Sequence, residues 1–316
     1  MKKIHPRRAW RKTKEFFTDD FKWNLMKLCP SDKLYIAWFF QRTFGYKLNL
    51  DDPKTYNEKL QWMKLYYHNP LLTRLVDKIE AKRYVEEKLG DGFTFPLLGV
   101  WNKPEEIDFD KLPNAFVLKV NHNSGVGLTI CKDKKNGVIF KGKGLGSNTM
   151  SLDEVRAWLQ RGLEENFYWT CREWAYKNVK RRILAEDYMQ DTNGEELHDY
   201  KFFCFDGEPY YVWVGTNYAP SSFDIYSLEW KPMHVAWGYD LPIEILHKPS
   251  NFEKMIEIAR ILSKGLPHVR IDLYNIDGRI YVGEFTFYTW AGFTPFKPMS
   301  FDVKLGAHFR IPEKCK

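Results

Sequence analysis

The stretch Val269-Arg-Ile-Asp-Leu-Tyr-Asn-Ile-Asp-Gly-Arg-Ile-Tyr-Val-Gly-Glu284 reads as two short strands around a turn, yet Arg270, Asp272 and Glu284 interrupt its apolar pattern. Asn275-Ile276-Asp277-Gly278 suits a three-residue loop with Gly278 in the left-handed region and an adjoining bulge. That register pairs Asp272 with Val282 and Arg270 with Glu284. It places Arg270, Asp272, Glu284 and Thr286 on one face, and Val269, Ile271, Leu273, Tyr281, Phe285 and Phe287 on the other. A tight two-residue Asp-Gly turn would shift the pairing by one and separate the carboxylates, so the bulged loop is expected. Two carboxylates on one face repel unless a cation lies between them, and an all-oxygen donor set favours magnesium. The plain alternative is a cross-strand Arg270–Glu284 ion pair with Asp272 capping a neighbour.

Charged residues interrupt strands at three further places. In AFVLKVNHNSGVGL, Lys119 precedes a loop holding Gly125 and Gly127. Converging backbone N–H groups and an ammonium there would grip phosphate, although no Lys-Ser or Lys-Thr follows as in a P-loop. An ordinary hairpin with an edge lysine fits the same residues. Asp199 and Lys201 alternate with apolar residues in HDYKFFCF and so share a face, which a surface ion pair would also explain. Glu186 and Asp187 sit within ILAEDYM, where a carboxylate could meet a ribose hydroxyl or an adenine amino group, or stand at a solvated strand end.

The elements that must hold these residues are mixed. Residues 1–75 are helical and aromatic, and 77–90 form a helix ending at Gly90. FPLLGVW is a strand, Ser151 with Glu154 is a capping box, and 251–265 is an amphipathic helix stopping at Gly265. Adjacent hairpins without a βαβ series give an α+β fold.

The composition is that of a globular protein, with 44% hydrophobic, 28% charged and 17% aromatic residues. The formal charge of +7 points to an anionic partner, and seven of the first fourteen residues are Lys or Arg. Residues 1–20 could therefore rest on anionic membrane, or form a solvated helix. No apolar region follows them as in a secretory signal, and the longest apolar run, LYIAWFF, is too short to span a bilayer. Five scattered cysteines exclude a disulfide framework or zinc site and suggest a reducing, cytoplasmic setting, with peripheral contact at the inner membrane face.

In order and spacing, D77-K-I-E-A-K82, F116-V-L-K-V-N-H-N-S-G-V-G127, L184-A-E-D-Y-M189, D199-Y-K-F-F-C-F-D-G207 and R270-I-D with V-G-E-F-T286 resemble the ATP-grasp superfamily, most closely its TupA-like, polysaccharide-associated branch. The resemblance runs from about Tyr56 to Trp290. It implies two α+β lobes closing over ATP: a helical basic region at 1–75, an N-terminal part at 76–115, a lid and hinge at 116–189, and a catalytic part at 190–316. It implies that Lys78 and Lys119 hold the α- and β-phosphates, and that the loop Asn121, His122, Ser124, Gly125 to Gly127 folds over them. Glu186, Asp187, Tyr188 and Met189 would form the adenine hinge, with Asp191 on the ribose. Lys201 would reach the γ-phosphate, Asp272 and Glu284 would bind magnesium, and Arg270 would meet charge on the reacting carboxyl group. An asparagine usual two residues after the metal glutamate is Thr286 here, and FYTWAGF replaces the usual Pro-Gly-containing stretch.

The function implied is an ATP- and Mg2+-dependent amidoligase that joins an amino acid or amine to a carboxylate through an acyl phosphate. The carboxylate would be a uronic acid of a surface polysaccharide, capsule included, or of its lipid-linked precursor, with no nucleic acid involved. A phosphotransferase acting on a glycan hydroxyl is one alternative. A glycosyltransferase is another, but it would need a metal-binding Asp-x-Asp after a strand, and no such tripeptide is expected. An anionic-polymer binding module would leave Asp272 and Glu284 unexplained.

Overall fold

The structure, a computed structural model, describes residues 29, 31–123, 128–133, 137–142, 150–189, 198–216, 222–243 and 245–314, with 128–133 and 137–142 described by backbone alone. The basic segment at 1–20, Ser124 to Gly127 and Asp191 lie outside the described residues. Among the described residues, no helix is long and apolar enough to cross a membrane.

Two five-stranded sheets organise the chain, and every strand pairing within them is antiparallel. The first has the order β1-β5-β2-β3-β4, built from β1 (Leu97–Trp101), β2 (Ala115–Val120), β3 (Leu128–Asp133), β4 (Gly137–Gly142) and β5 (Ile183–Asp187). The second has the order β10-β9-β6-β7-β8, from β6 (Asp199–Phe205), β7 (Glu208–Thr216), β8 (Ser222–Ser227), β9 (His268–Ile276) and β10 (Arg279–Thr286).

Among the described residues, four helices precede the first sheet. They are α1 (Asp32–Phe44), α2 (Tyr56–Tyr66), α3 (Pro70–Val76) and α4 (Lys78–Leu89). Local chemistry sets their ends. Thr55 and Glu58 form a reciprocal capping box on α2, and the Asp77 carboxylate accepts the Ile79 N–H at 2.9 Å to start α4. Gly90 stops α4 at φ 83°, as expected of a glycine cap. The expected Ser151–Glu154 capping box opens α5 (Leu152–Glu164), whose Val155 and Leu159 pack on Phe116, Leu118 and Ile183 of the first sheet.

The larger core lies between the second sheet and α6 (Phe252–Ser263), where Met255, Ile258, Ala259 and Leu262 meet residues such as Phe202, Ile271 and Leu273. The opposite face of that sheet changes character along its strands. At one end Tyr56 of α2 covers Phe203, Phe205 and His268, with its hydroxyl 2.9 Å from His268 Nε2. At the other end the same face is charged. The C-terminal helix α7 (Ser300–His308) closes the apolar end, held to α2 by Asn57 on the Asp302 carboxylate at 2.8 Å.

The register of the β9–β10 hairpin differs from expectation. Arg279 opposes Ile276, so the turn is the tight two-residue one, with Asp277 at φ 50° and Gly278 at φ 80°. Taken alone that turn would separate the carboxylates. A bulge at Gly283 then restores the parity, so Glu284 opposes Asp272 and Thr286 opposes Arg270. Val282 faces the apolar side opposite Leu273, and Tyr281 faces Tyr274, which exchanges the places expected for the two. A Cβ on Gly283 would lie 2.7 Å from the Tyr274 ring, which is why the bulge falls on a glycine.

The sequence does contain one Asp-x-Asp, Asp108-Phe109-Asp110. It lies in a single 3-10 turn where Asp108 caps Asp110 N–H at 3.2 Å and pairs with Lys111 at 3.0 Å, while Phe109 is buried. The Asp108 carboxylate serves that turn.

Candidate active site

On the charged end of the second sheet, neighbouring strands put Glu284, Asp272, Lys201 and Trp213 in one row across β10, β9, β6 and β7. Arg270, one pleat away, lies beside Thr286 and Phe203. Its guanidinium grips Asp272 with two bonds, Nε to Oδ1 and Nη2 to Oδ2, both 2.6 Å. The same Nη2 donates to Thr286 Oγ1 at 3.0 Å and to Glu284 Oε1 at 3.2 Å, and Nη1 reaches Thr289 Oγ1 at 3.4 Å. Lys201 spans Asp199 at 2.8 Å and Asp272 at 3.3 Å. The side chains of Lys201 and Asp199 are 12% and 15% exposed, so this is an enclosed pair, not a surface one.

Burial and neighbouring charge compete over these groups. Desolvation raises the Asp272 pKa in spite of Arg270 and Lys201. For Glu284 desolvation pushes upward too, but Arg270, Lys78 and Lys201 together hold it below its ordinary value. Lys201 is raised, because Asp199 and Asp272 outweigh its desolvation. Both the cross-strand Arg270–Glu284 contact and the shared carboxylate face are thus present.

The first sheet and α4 supply a second charged group. Asp77 caps α4 and accepts Arg182 Nη2 at 3.1 Å. Lys78, the first residue of α4, donates Nζ to Asn123 O at 2.6 Å, and its backbone N–H to Asn121 O at 3.0 Å. Burial lowers the Lys78 pKa, and Glu284, Lys119 and Glu186 are all close enough to act on it. Lys78 therefore lies between the two groups.

Glu186 of β5 lies between two ammonium groups, Lys82 at 2.8 Å and Lys119 of β2, in a still closer ion pair. The two lysines overcome desolvation and bring its pKa down to about 2. Each oxygen of the Glu186 side chain, expected to meet ribose or adenine, is paired with a lysine here. Asp187, which closes β5, and Tyr188 and Met189 beyond it are partly exposed. The Asp187 N–H is bound to Pro96 O at 3.0 Å.

Asn121 and His122 also differ from expectation. The Asn121 amide donates to Lys180 O and accepts Arg182 N–H, each at 2.8 Å, with the residue fully buried. It fastens β2 to the chain entering β5 and is not open to ligand. His122 is 1% exposed and donates Nε2–H to Glu165 O at 2.8 Å, and burial brings its pKa down to about 4. It is a neutral interior post.

Sequence reasoning missed Lys82 as a site residue. The signal was present, because Lys78 and Lys82 are four apart and so share one face of α4. Asp199 was seen only as half of an ion pair, and Tyr274, which bonds to Asp199, carried no signal beyond strand alternation.

The donor set suits a hard dication. Two carboxylates and the Thr286 hydroxyl gather around Arg270 Nη2, Glu284 Oε2 has no partner among the described residues, and the Glu284 side chain is 42% exposed. Among the described residues no group of three or more His, Cys, Asp or Glu side chains is placed to hold a metal ion. The remaining positions would fall to water and phosphate oxygens, as magnesium prefers.

The sequence profile of the TupA-like ATPgrasp family matches residues 58–310, most of the chain. The chain belongs to this ATP-grasp family. No protein of curated function matches it in sequence. Among solved structures, D-alanine–D-alanine ligase from Bacillus anthracis complexed with ATP is 16% identical, over 69% of this chain and 57% of that one, with a TM-score of 0.38. The ATP-grasp ligase PsnB, solved with a phosphomimetic variant of its minimal precursor, Mg and ADP, is 10% identical over 80% and 66%, with a TM-score of 0.39. The chain spans less than two thirds of the length of the D-alanine ligase structures, 57% and 59%. Likeness at this level does not bear on chemistry.

Proposed function

We propose that the chain is an ATP- and magnesium-dependent carboxylate–amine ligase whose carboxylate substrate is a uronic acid of a surface polysaccharide or its lipid-linked precursor. The observation that carries this reading is the opposition of two unbalanced charge groups. On one side Lys78, Lys82 and Lys119 surround the single carboxylate Glu186. On the other, Asp199, Asp272 and Glu284 surround one guanidinium and one ammonium. A polyphosphate suits the first, and a hard dication suits the second.

In this reading Lys78 and Lys119 hold the phosphates as point charges, and Lys82 keeps Glu186 ionised and in place. Asp272 and Glu284, with Thr286, would hold magnesium, which when bound neutralises charge on the phosphates. Lys201 reaches the transferring phosphoryl group. Arg270, fixed by Asp272 and Thr286, meets the acceptor carboxylate and the charge that develops on its oxygens. The acceptor carboxylate oxygen attacks the γ-phosphorus and ADP leaves, giving an acyl phosphate. The amine then attacks the acyl carbon, phosphate departs with the carbonyl–oxygen bonding pair, and the amine proton passes to solvent. Such transfer depends on positioning and electrostatics and needs no enzyme nucleophile, and the described residues present no Ser–His–Asp set that would supply one. The choice of a uronic acid rests on the resemblance, read from the sequence, to a polysaccharide-associated branch.

The test is release of ADP and free phosphate with magnesium, across a panel of uronic acids and amino acids. Turnover requiring both a carboxylate and an amine supports the ligase. ADP formed with a hydroxyl acceptor and no free phosphate replaces it with a kinase.

A further inference from the structure

Beyond the charged row, the same face of the second sheet continues into aromatic rings that the chemistry above does not use. Trp213, next to Lys201 in the row, lies with its ring 5.9 Å from the Arg270 guanidinium carbon. Its indole N–H is buried and has no acceptor among the described residues. Two partly exposed rings stand over it, Tyr239 at 6.0 Å and Trp290 at 6.2 Å, themselves 5.6 Å apart and inclined at 50°. Tyr239 is close enough to Lys201, Asp199 and Arg270 for their charges to act on its hydroxyl.

The two segments carrying these rings are fastened with unusual care. Ala236 and Lys297 exchange backbone hydrogen bonds at 3.0 and 2.9 Å, and Trp237 Nε1–H donates to Thr294 O at 2.8 Å. Trp290 and Ala291 both hold left-handed backbones, φ 52° and 54°, which cost energy for residues with a Cβ. That conformation is pinned from beneath by buried Lys64 on Ala291 O at 2.6 Å, and by Gln61 on Gly292 O at 2.7 Å. Gly238 is required as well, since a Cβ there would lie 2.9 Å from the Trp290 indole.

Strain held in place by buried polar groups, beside a charged row, marks a built surface and not leftover core. Aromatic faces carry negative potential and attract the polarised C–H face of a pyranose, while adjacent cations attract a carboxylate. We infer that Trp290 and Tyr239 form the acceptor platform, on which a uronic acid ring lies with its carboxylate toward Arg270 and Lys201. This rests on the ligase reading and makes Trp290 and Tyr239 specificity-determining residues.

The experiment is saturation-transfer NMR of methyl β-D-glucuronide with the full chain in magnesium and ADP, with methyl β-D-glucoside and acetate as controls. ADP binding is followed separately in each sample. The glucuronide should receive saturation mainly on one C–H face, the glucoside less, and acetate none. Trp290→Ala and Tyr239→Ala should each weaken glucuronide binding by about tenfold, Trp290→Phe much less, and ADP binding should stay at the wild-type level in all three. Retained ADP affinity shows that a variant is folded. Wild type that binds ADP but not the glucuronide, or alanine variants that bind it as wild type does, would overturn the platform and leave the ligase reading standing. Wild type that fails to bind ADP removes both.

Discussion

Two charged groups face each other in this protein, and they are built differently. In the group on α4 and the first sheet, lysines converge on Glu186, and the carboxylate is the enclosed member with its side chain 6% exposed. In the group on the second sheet, carboxylates converge on Arg270 and Lys201, which are enclosed at 8% and 12% together with Asp272 at 4%, while Glu284 is 42% exposed. In each case buried, paired charges hold their neighbours in place, and an excess of one sign is left over. A buried ion pair adds little net stability by itself. Its use here is to hold like charges close together, positive on one side and negative on the other.

The largest expected effect comes from breaking the second group at its centre. Asp272→Asn removes the carboxylate that Arg270 grips by two bonds, and turnover, measured as ADP release, should fall by about a thousandfold. Gly283→Ala tests whether the bulge matters as such. Its Cβ would press on the Tyr274 ring, so Glu284 should lose its place opposite Asp272. Turnover should fall roughly a hundredfold with magnesium affinity weakened; a variant with wild-type activity would show that the register is unimportant.

The first group should respond in stability as well as in function. Glu186→Gln leaves Lys82 and Lys119 without their shared counter-charge and should lower stability by on the order of 3 kcal/mol in denaturant unfolding, with weaker nucleotide binding. The Glu186 pKa is depressed from 4.5 to about 2 on folding, so its stabilisation is present in full above about pH 4.5 and is lost as pH falls toward 2. That acid loss should be smaller in Glu186→Gln.

The smallest effect belongs to His122. Its folded pKa is lowered from 6.5 to about 4, so its contribution to stability is present above about pH 6.5 and declines as pH falls to 4. His122→Gln should flatten the stability profile in that window while leaving turnover at neutral pH within a fewfold of wild type. A large loss of turnover would give His122 a chemical part.

The members of the second group were legible because alternation along a strand has a period of two, so Asp199 with Lys201, and Arg270 with Asp272, had to share faces. The route by which Glu284 joins them was not. Asp-Gly turns and bulges each move the register by one, and two such shifts cancel, so a wrong turn and an unseen bulge at Gly283 gave the right face. Caps such as Ser151 and Gly90 were readable because they act within four residues. The fates of Asn121 and Glu186 depend on Arg182, Lys180 and Lys82, partners that only the folded chain brings near. Strand β4, strand β8 and helix α7 went unread for a similar reason, since their patterns become clear only against neighbours.

The most direct test of the two-group account is calorimetric titration of ADP, with and without magnesium, into wild type, Lys119→Met, Asp272→Asn and Glu284→Gln. Lys119→Met should weaken binding under both conditions. The two carboxylate variants should bind metal-free ADP at least as well as wild type and lose only the increment that magnesium adds. If the carboxylate variants keep that increment, or Lys119→Met binds ADP as wild type does, the division of labour between the two groups is wrong.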